Sequence, residues 1–271
     1  MTKISLVLIY TICLYLIVIL ITFIFQRSLL YMPSKKQIEP SYYSHTDLKE
    51  VKLSTSDGLI LKSLFKKPFS INKNTILVFH GNAGHIGHRV EKFKPFIDAG
   101  YGLLLVEYRG YADNPGNPHE EGFYKDGKAA INFLSNLNIF PKNTIIYGES
   151  LGCGIAVKLS SEISFHSMIL EAPFTSIADI AQNHYWYIPA KWMVLDRYDV
   201  IGRIDKIKNP LLVIHGKKDN VIKIEFGREV FNAAPEPKEA LYINNAGHNN
   251  LFEFNIYEKI FRFIENQKLN Y

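Results

Sequence analysis

The sequence predicts an α/β domain built on a mostly parallel sheet and preceded by one membrane-spanning helix. Three observations carry this reading. Residues 4–25 form an apolar run without a single charge. Beyond residue 50, short β-branched runs of strand length alternate with longer amphipathic stretches, a rhythm that requires crossover connections and a sheet covered on both faces. The chain's 271 residues are 47% hydrophobic and 21% charged, which is ordinary globular composition and enough for one domain with its own core.

The first element is ISLVLIYTICLYLIVILITFIF, residues 4–25. A run of about 20 apolar residues is long enough to cross the hydrocarbon layer. It passes into FQRSLLYMPSKK without a small-residue cleavage site, so it reads as a retained anchor rather than a removed leader, and no face is polar, unlike the helix of a soluble core. Lys3 precedes the span while Arg27, Lys35 and Lys36 follow it, which favours a cytoplasmic location for what comes after. The expected organisation is an anchor over 1–26, a polar, Tyr- and Pro-containing juxtamembrane linker over 27–48, and a catalytic-sized domain over 49–271.

Within that domain, EVKLSTSDGLILKSLF (50–65) reads as a hairpin turned at Ser56-Asp57-Gly58. TILVFH (75–80), GLLLVEY (102–108), NTIIYGE (143–149), SMILEAP (167–173), PLLVIHG (210–216) and EALYIN (239–244) have the length and composition of buried strands. Helices are predicted over 86–98, 119–138, 151–163, 222–233 and 250–266. One interval breaks the rhythm. Residues 174–209 form an insert that contains both tryptophans of the chain, and inserts of this length are commonly functional. The expectation is a short cap, with Tyr185, Trp186, Tyr187, Trp192 and Met193 as walls of an apolar substrate pocket.

The net charge of +5 is dispersed rather than gathered into blocks, so a nucleic-acid partner is not expected. The two cysteines, Cys13 in the apolar run and Cys153, suggest no disulfide framework. His80, His85 and His88 crowd one short stretch, but glycines separate them and no carboxylate or cysteine of ligand spacing accompanies them. No metal and no cofactor is expected.

Chemistry enters at IIYGESLGCG. A β-branched run ends in Gly148-Glu149-Ser150-Leu151-Gly152 and a helix follows; this is the strand-turn-helix context that a G-x-S-x-G nucleophile requires. The glycines allow a sharp reversal that lifts one hydroxyl above the sheet. A serine hydroxyl needs a base to take its proton and an acid to orient that base. Asp219 follows PLLVIHG and His248 follows EALYIN, giving the order Ser, Asp, His. Ser150 is therefore the expected nucleophile, His248 the general base and then acid, and Asp219 the orienting carboxylate. Asp196, Asp199 and Asp205 are rival acids, but they precede their strand instead of following it. Backbone N–H groups of Leu151 and of Asn82, in the glycine-rich HGNAG bend after TILVFH, are the expected oxyanion donors. Neither a P-loop nor a G-x-G-x-x-G spacing is present at the serine turn, which speaks against nucleotide binding.

These motifs, together with EYRGY (107–111), PHEEGFYKDGKAAINFL (118–134), EAPFTSI (171–177), RYDVIGRIDKIKNPLLVIHGKKDNVI (197–222) and NAGHNN (245–250), resemble the α/β-hydrolase superfamily. Within it the chain is similar to the membrane-anchored "bud emergence" hydrolases and the animal abhydrolase domain-containing proteins near number thirteen of that series, over about residues 27–266. The resemblance implies the α/β-hydrolase fold and a serine hydrolase acting on small-molecule or lipid esters or thioesters. Two departures stand out. YADNPGNP puts Ala112 and Asn114 where such proteins usually carry a second glycine-serine-glycine turn, and the Gly-Gly pair that follows the serine motif in many prolyl-peptidase relatives is absent, which weakens a peptidase reading. A catalytically idle, membrane-tethered binding module and a serine peptidase are the alternatives.

Overall fold

The computed structural model describes residues 3–267. Helix α1, Lys3–Leu30, is 28 residues long with none of them buried, and at 1.5 Å per residue it extends about 42 Å, more than the roughly 30 Å of bilayer hydrocarbon. The strands that follow are β1 (Met32–Pro33), β2 (Lys49–Ser54), β3 (Ile60–Lys66), β4 (Thr75–Phe79), β5 (Ala83–Gly84), β6 (Gly102–Val106), β7 (Thr144–Glu149), β8 (Ser167–Glu171), β9 (Leu211–Gly216) and β10 (Lys238–Ile243). The remaining helices are α2 (Val90–Asp98), α3 (Glu120–Asn136), α4 (Leu151–Ser160), α5 (Ile177–His184), α6 (Ala190–Met193), α7 (Ile224–Ala233) and α8 (Tyr257–Gln267).

Eight strands form one sheet in the order β10-β9-β8-β7-β4-β6-β3-β2. The β2–β3 hairpin is antiparallel, β3 pairs antiparallel with β6, and every neighbour from β6 to β10 is parallel. Parallel strands are buried on both sides, which is why they read as unbroken apolar runs. Alternate residues go to opposite faces. Leu77, Phe79, Leu104, Val106, Ile146 and Leu170 pack with α3 and α4, whereas Ile76, Val78, Leu103, Leu105, Ile145 and Ile169 pack with α2 and α8. The parallel strands all point their carboxyl ends at one rim, where open sheets of this kind carry their sites.

The stretch expected as a linker behaves differently from a tether. Helix α1 runs through residue 26 to Leu30, and Tyr31 is buried in the core, its ring edge-on to Phe123 at 5.4 Å. Met32 and Pro33 pair in parallel with Ala83 and Gly84. Ile38 and Leu48 are buried as well. These apolar residues are too widely scattered among polar ones to produce a periodic signal, so composition alone reads the segment as solvated.

Candidate active site

Ser150 joins β7 to α4 with φ 50° and ψ −115°, a left-sided backbone conformation that a non-glycine residue adopts only where its surroundings enforce it. They do so on both sides. A Cβ on Gly148 would meet the backbone of Cys153 at 2.7 Å, and one on Gly152 would meet the carbonyl oxygen of Phe79 at 1.9 Å. The Ser150 N–H donates to the carbonyl of Glu171 at the end of β8, 2.8 Å away. Cys153 is buried beneath the turn; its thiol lies 3.2 Å from the Gly148 carbonyl, and burial pushes its pKa well up, so it stays protonated and is no rival nucleophile.

The loops after β9 and β10 bring the other two expected residues to the serine. His248 Nε2 lies 3.1 Å from Ser150 Oγ, and His248 Nδ1 lies 2.7 Å from Asp219 Oδ2. An ionised carboxylate only accepts, so Nδ1 carries the proton and Nε2 presents its lone pair to the hydroxyl. Asp219 Oδ1 accepts from the N–H groups of Val221 and Ile222, each at 2.8 Å. Burial alone would raise the pKa of this carboxyl, but hydrogen bonding from His215 and His248 outweighs it and holds the group well below the usual carboxylate range. Two of the rivals are occupied elsewhere: Asp196 binds Arg27 and Tyr31, and Asp199 accepts from the N–H of Gly202.

The HGNAG bend lies beside Ser150. A Cβ on Gly81 would stand 3.5 Å from the Ser150 Cβ, and the next residue is Asn82. The Asn82 side chain donates to the carbonyl of Leu30, the last residue of α1, and its own carbonyl accepts from the Tyr111 hydroxyl at 2.7 Å. Leu151 opens α4, where the first N–H groups have no intrahelical acceptor. His80 is fully buried; its Nε2 lies 3.0 Å from Glu107 Oε1 and its Nδ1 lies 2.7 Å from the carbonyl of Gly81. Among the described residues no cluster of His, Cys, Asp and Glu has metal-binding geometry.

Known proteins resemble the chain that carries this arrangement. Residues 70–198 match the family model described as "Serine aminopeptidase, S33". The chain is 34% identical over 233 residues to an uncharacterised protein of Mycobacterium tuberculosis, covering 84% of this chain and 83% of that one. It is 31% identical over 222 residues to human alpha/beta hydrolase domain-containing protein 17B, covering 80% of this chain and 75% of the relative. The chain belongs to the α/β-hydrolase family. The hydrolase is also 31% identical over 194 residues to the lysophosphatidylserine lipase ABHD12 of Danio rerio, covering 64% of this chain and 50% of that one. An esterase of Pyrococcus furiosus shares its fold, with a TM-score of 0.68 and 17% identity over 88% of this chain and 98% of that one.

Sequence reasoning missed a charged cluster that the hydrolase holds beside the serine. Lys92 on α2 reaches Glu149 at 2.8 Å and Glu171 at 2.5 Å, Arg89 bonds Glu149 at 3.1 Å, and the Tyr147 hydroxyl donates to Glu171 at 2.5 Å. Burial pushes the Glu149 carboxyl up, yet Lys92 and Arg89 overcome that and keep it well below its ordinary range. A cavity of about 280 Å³ opens here, lined by Ser150, His248, Arg89, Lys92, Glu149 and Glu171. Glu149 was visible inside the serine motif, but its partner lies 57 residues earlier on a helix and no local pattern links them.

The hydrolase's insert forms the expected cap, from α5 and α6, but its aromatic residues divide. Tyr185 and Met193 line an apolar groove between the cap and α1. Trp186 and Trp192 do not: they are 78% and 87% exposed and project away from the domain. The inner side of the cap is supplied by Ile177, Ala178, Ile188 and Ala190, whose smaller side chains let two short helices pack close. Tyr187 is exposed as well. The departure at YADNPGNP is accommodated locally, with Ala112 at φ 48° and Asn114 bonding both the N–H and the carbonyl of Lys62.

Proposed function

We propose that this hydrolase is a membrane-anchored serine esterase that cleaves carboxylic ester or thioester bonds through an acyl-enzyme intermediate. The observation that carries the reading is the continuous line of contacts from Ser150 Oγ through His248 to Asp219. In this mechanism Ser150 attacks the acyl carbonyl while His248 Nε2 takes its proton. Asp219 holds the imidazole in the required tautomer and stabilises the imidazolium. The N–H groups of Leu151 and Asn82 receive the developing oxyanion, usually the largest single contribution to such catalysis. His248 then protonates the departing alkoxide or thiolate, and water activated by the same imidazole releases the acid.

Helix α1 serves as the anchor, with the catalytic domain on the cytoplasmic side where the flanking basic residues favour it. Tethering to the bilayer raises the local concentration of lipidic or acylated substrates, and a relative named as a lysophosphatidylserine lipase fits the same substrate class. The test is a series of p-nitrophenyl esters from acetate to palmitate, with fluorophosphonate labelling of parent and Ser150→Ala. Serine-dependent turnover and labelling are expected. Equal behaviour of parent and variant would leave a catalytically idle binding module, and cleavage of aminoacyl amides in preference to esters would make the protein a peptidase.

A further inference from the structure

The cap and α1 are built against one another along much of the helix. Nearest the domain, Arg27 pairs with Asp196 at 2.8 Å. The residue before it, Gln26, donates to the carbonyl of Met193 and accepts from the N–H of Leu195. Much further along, the Tyr15 hydroxyl donates to the carbonyl of Tyr187 at 2.8 Å. Tyr15 lies ten residues before Phe25, the last apolar residue of the uncharged run, which is about 15 Å of helix. If α1 crosses a bilayer, the cap reaches the same depth as Tyr15.

The cap's own chemistry suits that depth. Irregular backbone survives among hydrocarbon only where its polar groups are paired within the protein. The carbonyls of Tyr185, Ile188, Pro189 and Ala190 accept from backbone N–H groups. Those of Tyr187, Lys191 and Met193 accept from Tyr15, Arg197 and Gln26, and Gln182 adds a second bond to Ile188. The exposed side chains of residues 185–195 are Tyr185, Trp186, Tyr187, Pro189, Lys191, Trp192 and Leu195; the one cation among them, Lys191, is paired with Asp179 at 2.6 Å, and the rest are rich in the aromatic residues that favour membrane interfaces.

Between α1 and the cap runs a groove of about 190 Å³, walled by Phe23, Leu30, Ile177, Ile180, Ile188 and Met193. Three polar side chains along it are engaged internally: Thr22 bonds the Val18 carbonyl, Gln26 bonds the cap, and His184 Nε2 lies 3.0 Å from the Val221 carbonyl; Tyr185 adds an aromatic ring. What remains for an occupant is apolar wall. The volume is below the roughly 300–1,000 Å³ of pockets for drug-sized ligands, which suits one narrow chain. The groove does not touch Ser150 itself, but Leu30 at its end is bonded to Asn82, adjacent to Gly81, which flanks the serine.

We propose that residues 185–195 of the cap lie in the leaflet crossed by the C-terminal half of α1, and that the groove between them admits the acyl chain of the substrate laterally from the bilayer towards Ser150. The proposal rests on the membrane-anchored esterase reading and adds the route and the chemical form of the substrate: a lipid whose chain never leaves hydrocarbon.

Both tryptophans of the chain lie in this cap, so tryptophan emission, excited beyond the tyrosine absorption band, reports on it alone. The full chain is reconstituted in phosphatidylcholine vesicles with and without bromines on the upper half of the acyl chains. Loss of tryptophan emission in the brominated vesicles, with little quenching by aqueous acrylamide, is expected for the parent and equally for Ser150→Ala. Emission indifferent to bromine and quenched by acrylamide would overturn the placement. This reading needs no turnover, so it stands apart from any failure of the esterase assignment. Ala181 also lines the groove; filling it with Ala181→Phe is expected to lower the ratio of palmitate to butyrate ester turnover about tenfold, and the smaller Ala181→Val shifts it in the same direction. An unchanged ratio in both variants would overturn the acyl-chain route.

Discussion

Gly152 stands directly beneath the carbonyl oxygen of Phe79, in a space where a Cβ would come within 1.9 Å of that oxygen. The contact seats the first turn of α4 against the end of β4, and the backbone conformation of Ser150 follows from it. Gly152→Ala forces the helix away from the strand, an overpacking that no side-chain rotation relieves because the opposing atom is backbone. A loss of about 3 kcal/mol is expected, read as a drop in Tm together with loss of fluorophosphonate labelling. Normal Tm with normal labelling would show that the turn tolerates what the geometry forbids.

Asp219→Asn keeps an oxygen for the N–H groups of Val221 and Ile222 but removes the charge that faces His248. Turnover is expected to fall about 10⁴-fold with secondary structure retained by circular dichroism. The carboxyl also contributes to stability. Its folded-state pKa lies below the unfolded value of about 3.9. Its contribution is therefore fully present above that value and is lost as pH falls towards the folded pKa. Denaturant melts of parent and variant should accordingly converge as the pH is lowered from 6 to below about 4, and a constant gap would show that the ionised carboxyl adds nothing.

Lys92→Met removes the cation shared by Glu149 and Glu171 and leaves two buried carboxylates without it. Breaking a buried pair in this way costs about 3–5 kcal/mol. The sign of its pH dependence is diagnostic. Without Lys92 the Glu149 carboxyl loses the cation that does most to hold it down, burial pushes its folded-state pKa up, and the variant regains stability as pH falls and this carboxyl takes up a proton. Thermal melts at pH 7 and pH 5 measure this; a defect of equal size at both would locate the loss in packing instead.

Truncation separates a tether from a structural segment. A chain starting at residue 27 keeps Tyr31 against Phe123, Asp196 and Tyr198, and its domain is expected to melt close to the full chain. A chain starting at residue 36 loses that buried ring and the pairing of Met32–Pro33 with Ala83–Gly84. A further loss of about 3–5 kcal/mol is expected from the ring alone. Equal Tm for both truncations would restore residues 27–48 to the status of a linker.

What the sequence made legible follows from where local chemistry is decisive. The parallel strands announced themselves as apolar runs because both of their faces are covered. Gly148 and Gly152 announced the turn because each faces backbone that excludes a Cβ. Asp219 and His248 are picked out by chain order, since each occupies the first loop beyond a strand, and the fold places both within reach of Ser150. The roles of His80 and Arg109 stayed hidden: His80 meets Glu107, and Arg109 meets Asp57 and Asp126, pairings between distant elements that leave no periodic trace. The outward tryptophans were misread for a related reason. A large aromatic residue suits a pocket wall and an exposed surface alike, and only the packing of the smaller cap residues turns these two outward.

The short parallel pairing of Met32–Pro33 with Ala83–Gly84 leaves no slack between α1 and the loop beside Ser150. For a chain anchored by α1 the reactive centre stays at a fixed height over one leaflet and moves only as the helix diffuses in the plane. Encounter with a lipid substrate is then a two-dimensional event. Its rate follows the mole fraction of substrate in the surface, so diluting that lipid with an inert one slows the reaction even when the bulk concentration is unchanged.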